Sequence, residues 1–155
     1  MKKLLLKIWK VLPNSELLRG SLVWLITQKF LVGVVGIVFN EDKQILLFNH
    51  SYRHKYPWGL PSGWLKRGEL ASMAIKREIL EETGILVEVL RPIIVEGDDQ
   101  WPRVDLVFLC KIVTGEFSSS DEVGAVQFFD VNALPEMLPT QKRVIKKAFD
   151  ETYNP

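Results

Sequence analysis

Three carboxylates, Glu78, Glu81 and Glu82, stand at i, i+3 and i+4, so a helix over this stretch turns all of them toward one side. At about 100° per residue they occupy roughly a third of the circumference. That side also carries Ala71 and Ala74 and is bordered by Ile75 and Ile79, which marks it as inward-facing. Ser72, Lys76 and Thr83 fall opposite, on the side expected to be solvated. Like charges this close repel by an energy on the order of several kcal/mol at an effective dielectric of about 20, so the cluster calls for a cation. With oxygen donors and neither Cys nor His in the group, a hard divalent ion, Mg²⁺ or Mn²⁺, suits it better than zinc. An ordinary solvated acidic face is the competing explanation, and Arg77 to Glu81, an i, i+4 pair, fits it.

The elements that position these acids are legible on either side. Gly63-Trp64-Leu65-Lys66-Arg67-Gly68-Glu69 reads as a tight loop leading into the helix, and Gly84 ends it. Residues Leu31 to Phe39 are rich in Val and Gly and read as a buried strand. A turn at Asn40-Glu41-Asp42-Lys43 and a strand over Gln44 to Asn49 complete an expected hairpin. Pro57 to Pro61 reads as a short strand entering the loop. Downstream, strands are expected over Ile85 to Val95, with Pro92 at a bend or an edge, over Trp101 to Val113, and over Ala125 to Asp130. In the second of these Leu106, Phe108 and Cys110 share one face and Asp105 falls on the other. A closing helix runs from Pro139 to about Glu151 with Val144, Ile145, Ala148 and Phe149 as its apolar stripe.

The spacing over residues 63–85 is Gly63, five residues, Glu69, seven residues, Arg77-Glu78-Ile79, one residue, Glu81-Glu82, one residue, Gly84-Ile85. It resembles the signature box of the Nudix hydrolases at every fixed position, with a looser likeness in element order from about 31 to 149. The resemblance implies an α+β fold with αβα layers around a mixed central sheet, and a divalent-metal-dependent pyrophosphohydrolase. Its substrate would be a nucleoside diphosphate linked to another moiety: a nucleotide-sugar, a nucleotide-alcohol or a dinucleoside polyphosphate. A house-cleaning nucleoside triphosphate pyrophosphatase and a catalytically silent, nucleotide-sensing module are the alternatives, the latter at odds with the presence of every box acid.

Carried over by position, Glu78 and Glu82 are the principal metal ligands, and Glu81 is a further ligand or the base. Arg77 orients the carboxylates through Glu69 or Glu81, and the loop at Gly63 brings backbone carbonyl groups to the metal. Many members of the family carry Gly where Ser62 stands. In several branches a late loop supplies another carboxylate; Glu122 is the expected one here, with Asp121 beside it. Substrate contacts are expected from Arg53, Tyr56, Trp58 and Trp101. Counting from Ile85, Trp101 at +16 and Pro102 at +17 narrowly miss the positions that separate branches, so the substrate is left open.

The remaining readings concern the whole chain. Its 155 residues, 47% of them hydrophobic, suffice for one domain's core. Six Lys and Arg lie within residues 1–29 against Glu16 alone, whereas the rest holds 14 basic against 18 acidic residues. That acidic body argues against a nucleic-acid partner. The lone Cys110 excludes an internal disulfide and fits a reducing, cytoplasmic setting. Residues 1–28 are expected to be an N-terminal helical extension to a catalytic domain over 29–155. Lys3, Lys7 and Lys10 share one helical face there and Leu5, Ile8, Trp9 and Leu12 another, up to Pro13; a second helix carries Leu18, Leu22, Leu25 and Ile26. A homodimer contact is the first expectation for this extension and peripheral membrane contact the second.

Overall fold

A computed structural model describes residues 16–98 and 101–154. The chain divides into two compact units, Met1–Phe30 and Leu31–Pro155. In the first, the described residues hold one helix, α1 (Glu16–Ile26), none of whose side chains is buried. Thr27 Oγ1 donates to the Val23 carbonyl at 2.8 Å and Lys29 Nζ to that of Leu25 at 3.4 Å, which satisfies two of the carbonyl groups that every helix end leaves over. The amphipathic segment expected before Pro13 lies outside the described residues.

In the second unit the order is β1 (Leu31–Val38), β2 (Ile45–His50), β3 (Trp58–Gly59), β4 (Ser62–Trp64), α2 (Ala71–Thr83), β5 (Leu86–Gly97), β6 (Arg103–Thr114), β7 (Val123–Phe129) and α3 (Pro139–Tyr153). A mixed four-stranded sheet runs β4-β1-β6-β5 and a three-stranded one β3-β2-β7. β1 is parallel to β6 over eight pairs from Leu31–Arg103 to Val38–Cys110, and antiparallel to β4. Pro92 lies on the edge strand β5 at a shift of register, where its missing N–H does least harm.

Strand alternation then divides the core into two layers. Val34 and Val38 of β1, with Leu46 and Phe48 of β2, pack against Ala74, Ile75 and Ile79 of α2. Their neighbours Val35, Ile37, Ile45 and Leu47 pack with Ile145 and Ala148 of α3. Phe39 closes the second layer edge-on to Phe149 and Tyr153. Burying a side chain such as Ile75 or Ile79 contributes about 1.5–3 kcal/mol, so these two alone hold α2 firmly to the sheet. The layered α+β architecture expected from the sequence is the one observed.

Three local expectations are corrected. β1 and β2 do not form a hairpin: beyond one bridge, Phe39 to Ile45, each strand pairs with a partner from elsewhere in the chain. The turn between them is as expected, with Asn40 Oδ1 accepting from Gln44 N–H and Lys43 at positive φ. The single strand expected at 57–61 is two short ones, β3 in one sheet and β4 in the other, because the chain crosses between sheets at Leu60-Pro61. Thr83 is fully buried, not solvated. The loop after β6 covers it: Ser118 N–H donates to the Thr83 carbonyl, and the Thr83 hydroxyl bonds to Ile79 O and Ile85 N–H, so its polar atoms are satisfied inside.

Candidate active site

α2 presents its acids beside the loop that precedes it. Gly63 of β4 sits directly against the Glu78 carboxyl, so close that a Cβ at position 63 would collide with it. Only glycine permits that approach. Glu78 Oε1 also accepts from Trp64 N–H at 3.3 Å. At the other end of α2, Gly84 takes the left-handed conformation, φ 74°, and its N–H caps Leu80 O, which lets the chain turn sharply into β5.

Arg77 ties the loop to the helix. Its Nε and Nη2 donate to the two oxygens of Glu69 at 2.8 and 3.0 Å, its Nη1 reaches Glu78 at 2.8 Å and Glu81 at 3.1 Å, and Nη2 also meets Trp64 O at 3.2 Å. The hydrogen bond from Arg77 holds the Glu69 carboxyl below its ordinary range, and the same contacts, Glu69 first, push the Arg77 guanidinium up. The Glu69 end is anchored too, by Lys66 N–H on Oε2. With its donors committed in this way, Arg77 positions carboxylates.

Glu82 is different. It is 8% exposed, and its Oε2 is buried without a hydrogen-bond partner. Burial, then the charges of Glu122 and Glu78, raise its carboxyl to about 7, with Arg53 opposing and Glu81 adding a little. Glu122 comes from the loop before β7, held to the β2 end by Ser51, whose N–H and hydroxyl both donate to the Glu122 carbonyl. Glu78, Glu81, Glu82 and Glu122 thus share one electrostatic neighbourhood. Among the described residues no three His, Cys, Asp or Glu side chains are gathered tightly enough to hold a metal as they stand, since Glu78 and Glu81 both turn to Arg77 Nη1. The unpartnered oxygen of Glu82 and the mutual repulsion of its neighbours nonetheless fit a hard cation.

The four residues expected to meet substrate are dispersed. Arg53 lies with its guanidinium 5.5 Å from the Tyr52 ring, and its Nη1 is buried near Gly59, close enough to Glu82 for its charge to act there. Tyr56 is half-buried under Lys55 Nζ. Trp58 packs edge-on to Phe129, 4.9 Å between centroids, as part of the α3-side layer. Trp101 is 73% exposed at the tip between β5 and β6, where its N–H is fixed by Asp98.

None of the four lines the cavity of about 580 Å³ on the α3 side of β4. Ser62 opens onto that cavity while Gly63, the next residue, faces Glu78 on the other side. Its polar lining comes from Arg103 and Asp105, paired at 2.6 Å, from Gln141, and from Glu96, which also binds Arg143 at 3.2 Å. Arg103 further stacks 4.9 Å from the Trp64 ring. Asp105 was legible as a charge placed opposite the apolar face of its strand; Arg103 and Gln141 carried no signal of their own. His50 ends β2 fully buried, a placement that nothing local in the sequence marks. Burial and the nearby Arg53 charge hold it down to about 4, hence neutral at physiological pH.

Comparison with known proteins gives the same architecture. A likeness to the crystal structure of a UDP-X diphosphatase has a TM-score of 0.74 at 22% identity, covering 98% of this chain and 78% of that one. The ADP-ribose pyrophosphatase of Methanocaldococcus jannaschii is 31% identical over 119 residues, which is 74% of this chain and 70% of that protein. The NAD-capped RNA hydrolase NudC of Pasteurella multocida is 37% identical over 122 residues, and the chain spans 44% of its length. The NUDIX domain model matches residues 29–149, and with it the box, the fold and these relatives agree that the chain is a member of the Nudix hydrolase family.

Proposed function

We propose that this protein is a divalent-metal-dependent pyrophosphohydrolase that cleaves the phosphoanhydride of a nucleoside diphosphate linked to a second group. The observation that carries the reading is Glu82: a buried carboxylate with an unpartnered oxygen, pressed by Glu78 and Glu122, sits where negative charge outweighs the one nearby guanidinium, Arg53. Glu82, Glu78 and Glu81, with the backbone at Gly63, are the groups we assign to hold Mg²⁺ or Mn²⁺. When bound, such an ion supplies charge neutralisation for the diphosphate and a lowered pKa for water.

The chain's own residues do the rest. Glu78 and Glu81, which now share Arg77 Nη1, would hold the ion, while Glu69 keeps the guanidinium in place by two hydrogen bonds. Glu122, on its loop tied to Ser51, is the carboxylate assigned to accept the proton of the attacking water. Arg53 places a positive charge beside Glu82, where a phosphate oxygen can take it. The cavity beyond Ser62, with Arg103, Asp105 and Gln141, offers donors and acceptors for a base or ribose.

The names of two relatives point to ADP-ribose and to an NAD cap, both diphosphates bridging a nucleoside to another group, and that of a third, the putative 8-oxo-dGTP diphosphatase of Bacillus subtilis, points to a triphosphate. The test is turnover of ADP-ribose, NAD, nucleotide-sugars, dinucleoside polyphosphates and nucleoside triphosphates, with Mg²⁺ or EDTA, by wild type and Glu82→Gln. Diphosphate esters should be cleaved only with metal, and the variant should lose on the order of 100-fold or more in kcat. Turnover that survives EDTA, or equals that of the variant, rules the metal assignment out; preference for triphosphates moves the substrate class.

A further inference from the structure

α1 is apolar on almost every side and buries none of it. Leu17, Leu25 and Trp24 are 84, 70 and 67% exposed, and Leu18, Ile26 and Val23 are exposed as well. At about 100° per residue these six side chains are spread around most of the circumference, so no single stripe faces a core. A helix of this composition needs a cover that surrounds it on several sides. Its 11 residues extend only about 16 Å, half of what a bilayer core of about 30 Å requires, and no helix among the described residues is long and apolar enough to cross a membrane.

Charge decides between the occupants. Lys2, Lys3, Lys7, Lys10, Arg19 and Lys29 flank or enter this helix against Glu16 alone. A second copy would bring one basic segment against another, which like-charge repulsion opposes. An anionic lipid surface complements it, and each basic residue near such a surface strengthens attachment by roughly fivefold. Trp24 adds a ring with Lys29 Nζ 4.5 Å from its centroid, an aromatic and cationic pair of the kind that settles at the level of lipid headgroups. We propose that α1, with the basic stretch before it, seats this protein on an anionic membrane surface, lying in the interface rather than crossing it.

The test is flotation of the full chain with phosphatidylglycerol vesicles and with phosphatidylcholine vesicles, at low and high salt. Wild type should float with the anionic vesicles, release in high salt, and stay behind with the neutral ones. Lys7→Gln with Lys10→Gln should weaken binding by about 25-fold, and Trp24→Ser with Leu25→Ser by at least about tenfold. Both variants should unfold at the wild-type temperature, since all four positions lie outside the Leu31–Pro155 unit. Wild type that floats with neither vesicle, or equally with both, overturns the proposal. So does a concentration-dependent dimer, seen by sedimentation, that the Trp24 and Leu25 changes abolish while flotation is absent; that result would make the occupant a second copy.

Discussion

At the scale of single residues, the site is organised by the difference between Arg77, whose donors are committed, and Glu82, whose oxygen is not. Arg77→Lys keeps the charge but replaces a planar fork by one point donor, which cannot reach Glu69, Glu78, Glu81 and Trp64 O together. Its kcat should fall about 10–100-fold with KM nearly constant; a raised KM at full kcat would instead place Arg77 on the substrate. Titration separates the buried groups. His50 is held down from 6.5 to about 4, so the unfolded chain binds its proton more tightly, and its contribution to stability is complete above pH 6.5 and lost as pH falls toward 4. Glu82 is raised from 4.5 to about 7, so the folded state binds the proton more tightly, and stability is lost as pH rises from 4.5 through 7. Each amounts to on the order of 3 kcal/mol, and in the metal-free protein they oppose one another. Urea unfolding between pH 4 and 7.5 should therefore be flat for the wild type in this respect. Glu82→Gln should gain stability with rising pH and His50→Asn should lose it; parallel profiles for the two variants would refute the assignment.

At the scale of elements, the packing of β4 on α2 rests on Gly63. Gly63→Ala would push a methyl into the Glu78 carboxyl, so either the loop or the acid must move. We expect a loss of about 1–3 kcal/mol in stability together with a fall in kcat, measured by unfolding and turnover side by side; unchanged turnover would show that the close approach serves packing alone. This helix and its loop were legible from sequence because everything that defines them is local: acids at i, i+3 and i+4, alanines and isoleucines on the same side, glycines at both ends. What escaped was set by distant partners. β1 reads as half of a hairpin until β6, some 70 residues on, offers eight parallel pairs. Thr83 reads as solvated until the loop at Ser118 closes over it. Gln141 becomes part of the cavity only because its Oε1 accepts from Leu60 N–H, 81 residues away. His50 carries no local signal of its burial; it ends β2, and the nearby Arg53 charge acts on it as it does on Glu82.

At the scale of the whole molecule, the proposed metal binding by the acidic cluster would be coupled to folding. Glu82 comes from α2, Glu122 from the loop before β7 and Gly63 from β4, so the groups assigned to the cation converge only when both sheets are assembled. The unfolded chain has no such convergence, and an ion that binds the folded state alone stabilises it by about 2.7 kcal/mol at a hundredfold excess over Kd. For a domain of this size that is on the order of 10 °C in Tm. Calorimetry with Mg²⁺ and with EDTA should show this difference in the wild type without any substrate present. In Glu82→Gln the ligand is gone but so is the repulsion with Glu78 and Glu122, so the variant should match or exceed the wild type in EDTA and gain little from Mg²⁺. Equal gains in the two proteins would place the cation elsewhere, whatever the variant does to turnover. A wild type indifferent to Mg²⁺ would mean that Arg77, already holding Glu78 and Glu81 through one nitrogen, is the only cation these carboxylates need.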